Sequence, residues 1–227
     1  MHRDSALPVA AMRITAIEPQ PRSRRFTLRL DGVPAIPVSR EVLARFGLRA
    51  GGEVSDERLR EVQEAEAHHA ALSSALRLLA YRPRSESELR GRLARAGIAP
   101  RVLEAVVARL RELRLLDDAA FAGGWVEARD RMSPRSRRLL AAELRAKGVP
   151  PAVAQRSAAF VDEAAAAYRA TQKRATALRG APYADFRRRL GDLLLRRGFD
   201  YETAQEAVRR LWRELRGETT PADEDAG

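Results

Sequence analysis

The 227-residue chain contains no cysteine, only three histidines, and only two lysines among its 42 basic residues. Without sulfur there is no disulfide scaffold, no thiolate-ligated zinc and no thiol nucleophile. Two of the histidines, His68 and His69, are adjacent, and adjacent helical residues point about 100° apart. They cannot share a metal as an i, i+4 pair would, and with His2 they read as solvated surface. No apolar run approaches the roughly 20 residues needed to cross a bilayer. The stretch Met1 to Met12 also lacks the apolar segment of a secretion signal, so a soluble cytoplasmic protein without membrane contact is expected. Aromatic residues make up 5% of the chain, too few for a single-strand binder built on base stacking. Trp125 and Trp212 fall in helical patterns and read as core or inter-module contacts. There is no Gly-x-x-x-x-Gly-Lys-Ser/Thr loop to cradle a nucleotide phosphate. Asp117 and Asp118 precede Phe121 at a helix start, where carboxylates cap amides and suit the macrodipole, so they read as caps and not as an acid pair. No metal, cofactor or catalytic residue is expected.

What the chain does have is arginine, unevenly placed. Residues 1–70 hold 11 basic and 10 acidic side chains, residues 71–216 hold 31 and 17, and residues 217–227 hold none and 4. The excess lies in the middle section, and all but Lys147 and Lys173 of the basic residues are arginine. A guanidinium suits planar, bidentate contact with carboxylate or phosphate. A polyanionic partner and a merely solvated charged surface are both compatible with the numbers.

Between Met12 and Ser39 the apolar residues Ile14, Ala16, Phe26, Leu28 and Leu30 alternate with polar ones, punctuated by Pro19, Pro21 and the pair Asp31-Gly32. This predicts two or three short antiparallel strands, the last near Ala35 to Val38. A short helix from Ser39 to Phe46 ends at Gly47, Gly51-Gly52 makes a turn, and Ser55 opens a long helix reaching Tyr81. A small β-containing head over residues 12–55 therefore leads into a mainly α body. Residues 1–11 are expected to be flexible, and the acidic, apolar-poor tail 217–227 to be disordered.

The body repeats. Leu89, Leu93, Gly97 and Ile98 recur as Leu140, Leu144, Gly148 and Val149, and again as Leu190, Leu194, Gly198 and Phe199, at offsets of 51 and 50 residues. A fixed period of this size marks a stacked array of one supersecondary unit. Each unit reads as three helices. Pro83 ends the first helix, Ser85 and Glu88 form a capping-box pattern for the second, and Gly97 supplies its left-handed stop. Pro100 opens the third, whose Leu103, Val106, Val107 and Leu110 form one buried stripe. Ser133 before Pro134, Gly148 and Pro151 take these roles in the next unit, and Pro182, Gly198 and Asp200 in the last. The fold class is mainly α: three tandem three-helix, helix-turn-helix-like repeats behind the head, over residues 56–116 (including the long helix), 117–163 and 164–216.

Helix-turn-helix spacing invites comparison with DNA readers, yet the starts of the third helices, Pro100-Arg101-Val102, Pro151-Ala152-Val153 and Tyr201-Glu202-Thr203, offer a single arginine for base edges. The positive charge sits one helix earlier. Arg84 to Gly97, Pro134 to Lys147 and Tyr183 to Arg197 hold 4, 5 and 5 basic residues against 2, 1 and 2 acids. On one helix Arg135, Arg138 and Arg145 would cluster away from Leu140 and Leu144, and Arg189 would lie near Arg196. Stacked in register, these helices would form an arginine ridge fitting a nucleic-acid backbone or an acidic protein groove.

The run from Ala75 to Leu93, ALRLLAYRPRSESELRGRL, resembles the opening of the RecX family, bacterial regulators of the RecA recombinase. So do Leu116-Asp117-Asp118 followed by Phe121, the run ELRAKGV from Glu143 to Val149, and Arg197-Gly198-Phe199. The likeness extends from Leu72 to Leu215, and the head, with Arg25 to Gly32 and Phe46-Gly47-Leu48, is similar to an extension some members carry. Gly123-Gly124, inside the fourth body helix, departs from the pattern. The resemblance implies a non-enzymatic, monomeric modulator that binds the RecA filament on single-stranded DNA along its groove and suppresses its ATP hydrolysis, strand exchange and coprotease stimulation. Direct, sequence-independent DNA binding through the arginines is the alternative. The contact candidates, chosen on spacing, are Arg84, Arg90, Arg92 and Arg95 in the first unit, Arg135, Arg138, Arg145 and Lys147 in the second, and Arg189 and Arg196 in the third.

Overall fold

The computed structural model describes residues 11–21 and 23–217. The expected flexible N-terminus and disordered tail lie, but for Ala11 and Gly217, outside the described residues. The chain forms two compact units, one running up to Arg82 and resuming over Leu89–Leu115, the other combining Pro83–Glu88 with the chain from Leu116 onward.

The first unit opens with an antiparallel sheet of four strands, β1 (Ala11–Pro19), β2 (Arg25–Leu30), β3 (Val33–Ser39) and β4 (Glu53–Ser55), in the order β3-β2-β1-β4. The expectation of two or three strands omitted β4. Three residues after Gly51-Gly52 show no alternation to read, and they are recruited by pairing, with Val54 opposite Met12. Asp31 and Gly32 both have positive φ between the paired residues Leu30 and Val33, the backbone a two-residue type I′ hairpin requires. Helix α1 (Arg40–Phe46) is capped by Ser39 and stopped by Gly47, and α2 (Asp56–Tyr81) is capped by Ser55. Glu66 of α2 is buried, yet both its oxygens are satisfied: the Ser39 backbone N–H donates at 2.6 Å and Arg25 Nη2 at 2.7 Å. This charge-assisted tie fixes the sheet against the long helix. In the same unit Leu103, Val106, Val107 and Leu110 of α4 (Pro100–Glu112) are buried, as their helical spacing predicts, and α4 packs on α2.

The second unit contains α5 (Asp118–Met132), α6 (Arg137–Ala146), α7 (Pro151–Ala159), α8 (Glu163–Ala177), α9 (Tyr183–Arg196) and α10 (Tyr201–Arg216), together with the first turn of α3 (Glu86–Arg95). Its core gathers the repeated positions Leu140, Leu144, Val149, Leu190, Leu194 and Phe199, together with Val161 and Leu211. Helix α5 passes through Gly123-Gly124 without a break. Three tandem three-helix repeats thus follow the head. One cap differs from expectation: Ser133 closes α5, and Ser136 caps α6, its Oγ accepting from Leu139 N–H at 3.1 Å. Pro134 and Arg135 therefore lie in the link before α6 and not on the helix.

The repeats are joined by a recurring seat. The turn after α6 rests on the first turn of α3, where Ser85 Oγ donates to the Lys147 carbonyl at 2.5 Å. The turn after α9 rests in the same way on the first turn of α6, where Ser136 N–H donates to the Arg197 carbonyl at 3.1 Å. A carboxylate completes each seat. Asp118 accepts from the Glu86 N–H and Glu163 from the Arg137 N–H, both at 2.8 Å, satisfying helix-start amides that have no partner within their own helix. Asp118 thus caps a neighbouring helix, while Asp117 caps its own, accepting from Ala119 and Ala120. This explains why Pro83–Glu88 falls in the second unit although residues 56–116 read as one block in sequence.

Gly148 and Gly198 have φ of +79° and +86°, and a Cβ on either would stand 2.2 Å from Ser87 Cβ or 2.6 Å from Ser136 Oγ. Gly97 has φ of +80° but open space around it. Alanine at Gly97 should cost only the left-handed backbone penalty of about 1–2 kcal/mol. Gly148→Ala and Gly198→Ala should each cost about 2–5 kcal/mol, because a steric term of about 1–3 kcal/mol is added; urea unfolding of the three variants measures the difference. A second test concerns Asp200, the cap of α10, whose carboxylate is held below its ordinary range chiefly by the Thr203 backbone N–H at 2.7 Å. A folded value below the unfolded one means stability present above about pH 4 and lost on acidification. Asp200→Ala should cost about 1 kcal/mol near neutral pH, and the gap from the parent should close in melts taken below pH 4.

Candidate partner-binding surface

The basic side chains singled out by spacing do not behave alike. Before α3, Arg84 is enclosed, its side chain 4% exposed and bonded to Glu88 Oε1 at 2.5 Å. On α3, Arg90 makes a two-pronged contact with Glu104 of α4, at 2.5 and 2.9 Å, while Arg92 and Arg95 are exposed. These three belong to the first unit. In the second unit, Arg138 is exposed and reaches the Gly198 carbonyl at 3.4 Å. Arg145, Arg189 and Arg196 are exposed and have no acidic partner among the described residues. Beside them Arg188 pairs with Asp185 at 2.9 Å. The exposed set on α6 and α9 leaves its guanidinium groups available to an outside anion, whereas Arg84 and Arg90 spend theirs on internal carboxylates.

Arg135 departs from the expected pattern for a physical reason. Because Ser136 starts the helix, Arg135 is released from the outer face and turns onto Glu143, which its Nη1 contacts directly. Glu143 is the hub of a network that sequence reasoning missed. Trp125 Nε1 donates to its Oε2 at 2.9 Å, and Arg129 Nε to the same oxygen at 3.0 Å. The Arg129 guanidinium lies 4.6 Å and the Lys147 ammonium 4.1 Å from the Trp125 ring centroid, within the range of cation–π attraction. Arg197 stands close by, its Nη1 on the Ala170 carbonyl at 3.1 Å. Burial, together with the positive charges of Arg129 and Arg197, holds the Arg135 guanidinium below its ordinary value. The available signal was Glu143 itself, the lone acid in a basic helix, placed between the buried Leu140 and Leu144. Trp212, by contrast, packs against Tyr183 and Phe186 at 5.0 Å each, the core contact its helical position predicts.

Tandem three-helix modules with exposed arginine on their second helices define a helical-repeat protein. The chain belongs to the RecX family of regulatory proteins. Family descriptions of the RecX first, second and third three-helix domains match residues 71–110, 117–157 and 162–208, so the first module begins within α2. The chain is 31% identical over 198 residues to regulatory protein RecX of Lacticaseibacillus paracasei, covering 86% of this chain and 82% of that one. It is 35% identical over 141 residues to regulatory protein RecX of Pelodictyon phaeoclathratiforme, covering 62% and 88%. A crystal structure of a regulatory protein RecX superposes with a TM-score of 0.65 at 26% identity over 88% of this chain and 99% of that one. RecX from Lactobacillus salivarius shares the fold, with a TM-score of 0.59 at 19% identity over 65% of this chain and 97% of that one.

Removing the hub charge tests the network. Glu143→Gln leaves Arg129, Arg135 and Lys147 facing one another without a carboxylate, and should cost roughly 2 kcal/mol, less than a fully buried pair would. The loss should shrink at high salt, which screens the remaining repulsion; melting curves at low and high ionic strength read both effects.

Proposed function

We propose that this protein regulates RecA by binding the recombinase filament on single-stranded DNA along its groove and damping ATP hydrolysis, strand exchange and coprotease stimulation. The observation that carries this reading is the repetition, at module spacing, of exposed arginines on α6 and α9 without acidic partners among the described residues. A helical filament offers the same acidic or phosphate group again at each repeat, and several modest contacts made at once raise avidity without any single strong site. Membership in a family of regulatory proteins supports the reading. Regulation of this kind needs no cofactor, no metal and no catalytic residue from the chain, and the protein acts as a monomer in the cytoplasm.

The test is a titration of RecA ATP hydrolysis on single-stranded DNA with the full chain. The rate should fall at substoichiometric amounts, and the double variant Arg138→Glu with Arg145→Glu should need about tenfold more protein for the same effect, equivalent to about 1.4 kcal/mol. A hydrolysis rate indifferent to the protein would reject the proposal.

A further inference from the structure

The network around Glu143 holds more positive charge than its single carboxylate balances. Arg129 and Arg135 both contact Glu143, and Lys147 shares the Trp125 ring with Arg129. Arg197 is held beside them, its carbonyl accepting from the backbone N–H of Ser136, the neighbour of Arg135, at 3.1 Å. Among the described residues Glu143 is the one acid in contact with this group. A purely structural ion pair needs one cation for one carboxylate. Further partly buried like charges repel one another, and a bound anion relieves that repulsion.

The donors arrive from four places in the chain: α5 (Arg129), the link before α6 (Arg135), the C-terminal end of α6 (Lys147) and the C-terminal end of α9 (Arg197). Arg129 spends its Nε and Arg135 one Nη on Glu143, so each keeps further N–H groups, while the Lys147 ammonium is spent only on an aromatic face. A planar carboxylate is satisfied by one guanidinium fork. Donors coming from several directions match a tetrahedral oxyanion, which presents acceptor oxygens on more than one side. We propose that Arg129, Arg135, Lys147 and Arg197, set around Glu143 and Trp125, form a phosphate site that takes the backbone of a single-stranded nucleic acid. Glu143 is the positioning residue that aims the guanidinium groups. Base identity does not enter, because the cations touching the Trp125 ring occupy the surface a base would stack on. The site goes beyond the filament reading and is tested without RecA.

Trp125 is a built-in reporter. With Trp212→Phe as background, the full chain is titrated at low salt with a short oligothymidylate, with inorganic phosphate and with polyglutamate, following Trp125 emission and, separately, the anisotropy of a labelled oligonucleotide. The expected result is an emission change saturating with oligothymidylate and little response to polyglutamate of equal charge. Arg135→Gln with Lys147→Gln should weaken binding at least tenfold and lower the slope of log affinity against log salt by about 0.7 for each phosphate no longer neutralised. Lys147→Gln alone, which removes a side chain with no hydrogen bond or ion pair among the described residues, should shift the unfolding midpoint little and still weaken binding several-fold. Equal response to polyglutamate would overturn the phosphate assignment. Response to inorganic phosphate without response to the oligonucleotide would mean an adventitious ion only. Oligonucleotide affinity unchanged in both variants would overturn the site itself. RecA hydrolysis followed with the same variants reports on the filament proposal independently.

Discussion

The arrangement of the second unit depends on one contact made twice: a turn that can exist only at a left-handed glycine, pressed against the serine-capped first turn of an earlier helix. Gly148 meets Ser85–Ser87 and Gly198 meets Ser136–Leu139, and a carbonyl left over at a helix end accepts from the Ser85 hydroxyl in the first case and from the Ser136 backbone N–H in the second. The carboxylates of Asp118 and Glu163 finish the exchange. Such contacts carry little net energy per bond, but the cost of leaving the groups buried and unpaired makes the geometry hard to change. The exposed arginines of α6 and α9 depend on this seat for their repetition.

Much of this was legible in the sequence because repetition amplifies weak signals. A lone glycine after a helix is ambiguous, whereas Gly97, Gly148 and Gly198 followed by Ile98, Val149 and Phe199 locate three helix stops together, and the leucines upstream of each locate the buried face. Capping at Ser85 and Asp117 was readable because a cap is a local bond. Strand β4 was not, since three residues gain their conformation from pairing with β1, a strand distant in sequence. The cap at Ser136 was misplaced at Ser133 because both serines fit the local pattern, and the choice is made by the Arg197 carbonyl, which belongs to the next module.

That one misplacement carries through to the surface. With the helix starting later than expected, Arg135 leaves the outer row and becomes part of an inward cluster with Arg129, Lys147 and Glu143. Of the second-module candidates, Arg138 and Arg145 remain exposed. Spacing recognised which segments are basic but could not distinguish guanidinium groups spent inside the molecule from those displayed outside it. That distinction depends on where acids such as Glu88, Glu104 and Glu143 happen to lie in space.

The second helix of the third module starts differently from those of the other two. Its second helix begins at Pro182 without a side-chain cap, and the ring of Tyr183 is laid against Trp212 where α3 and α6 offer their serines to a succeeding glycine turn. Proline brings no amide hydrogen to trade. The seat is therefore a property of the first two second helices: the serine hydroxyl and the backbone donor that hold a glycine turn there have no counterpart at Pro182.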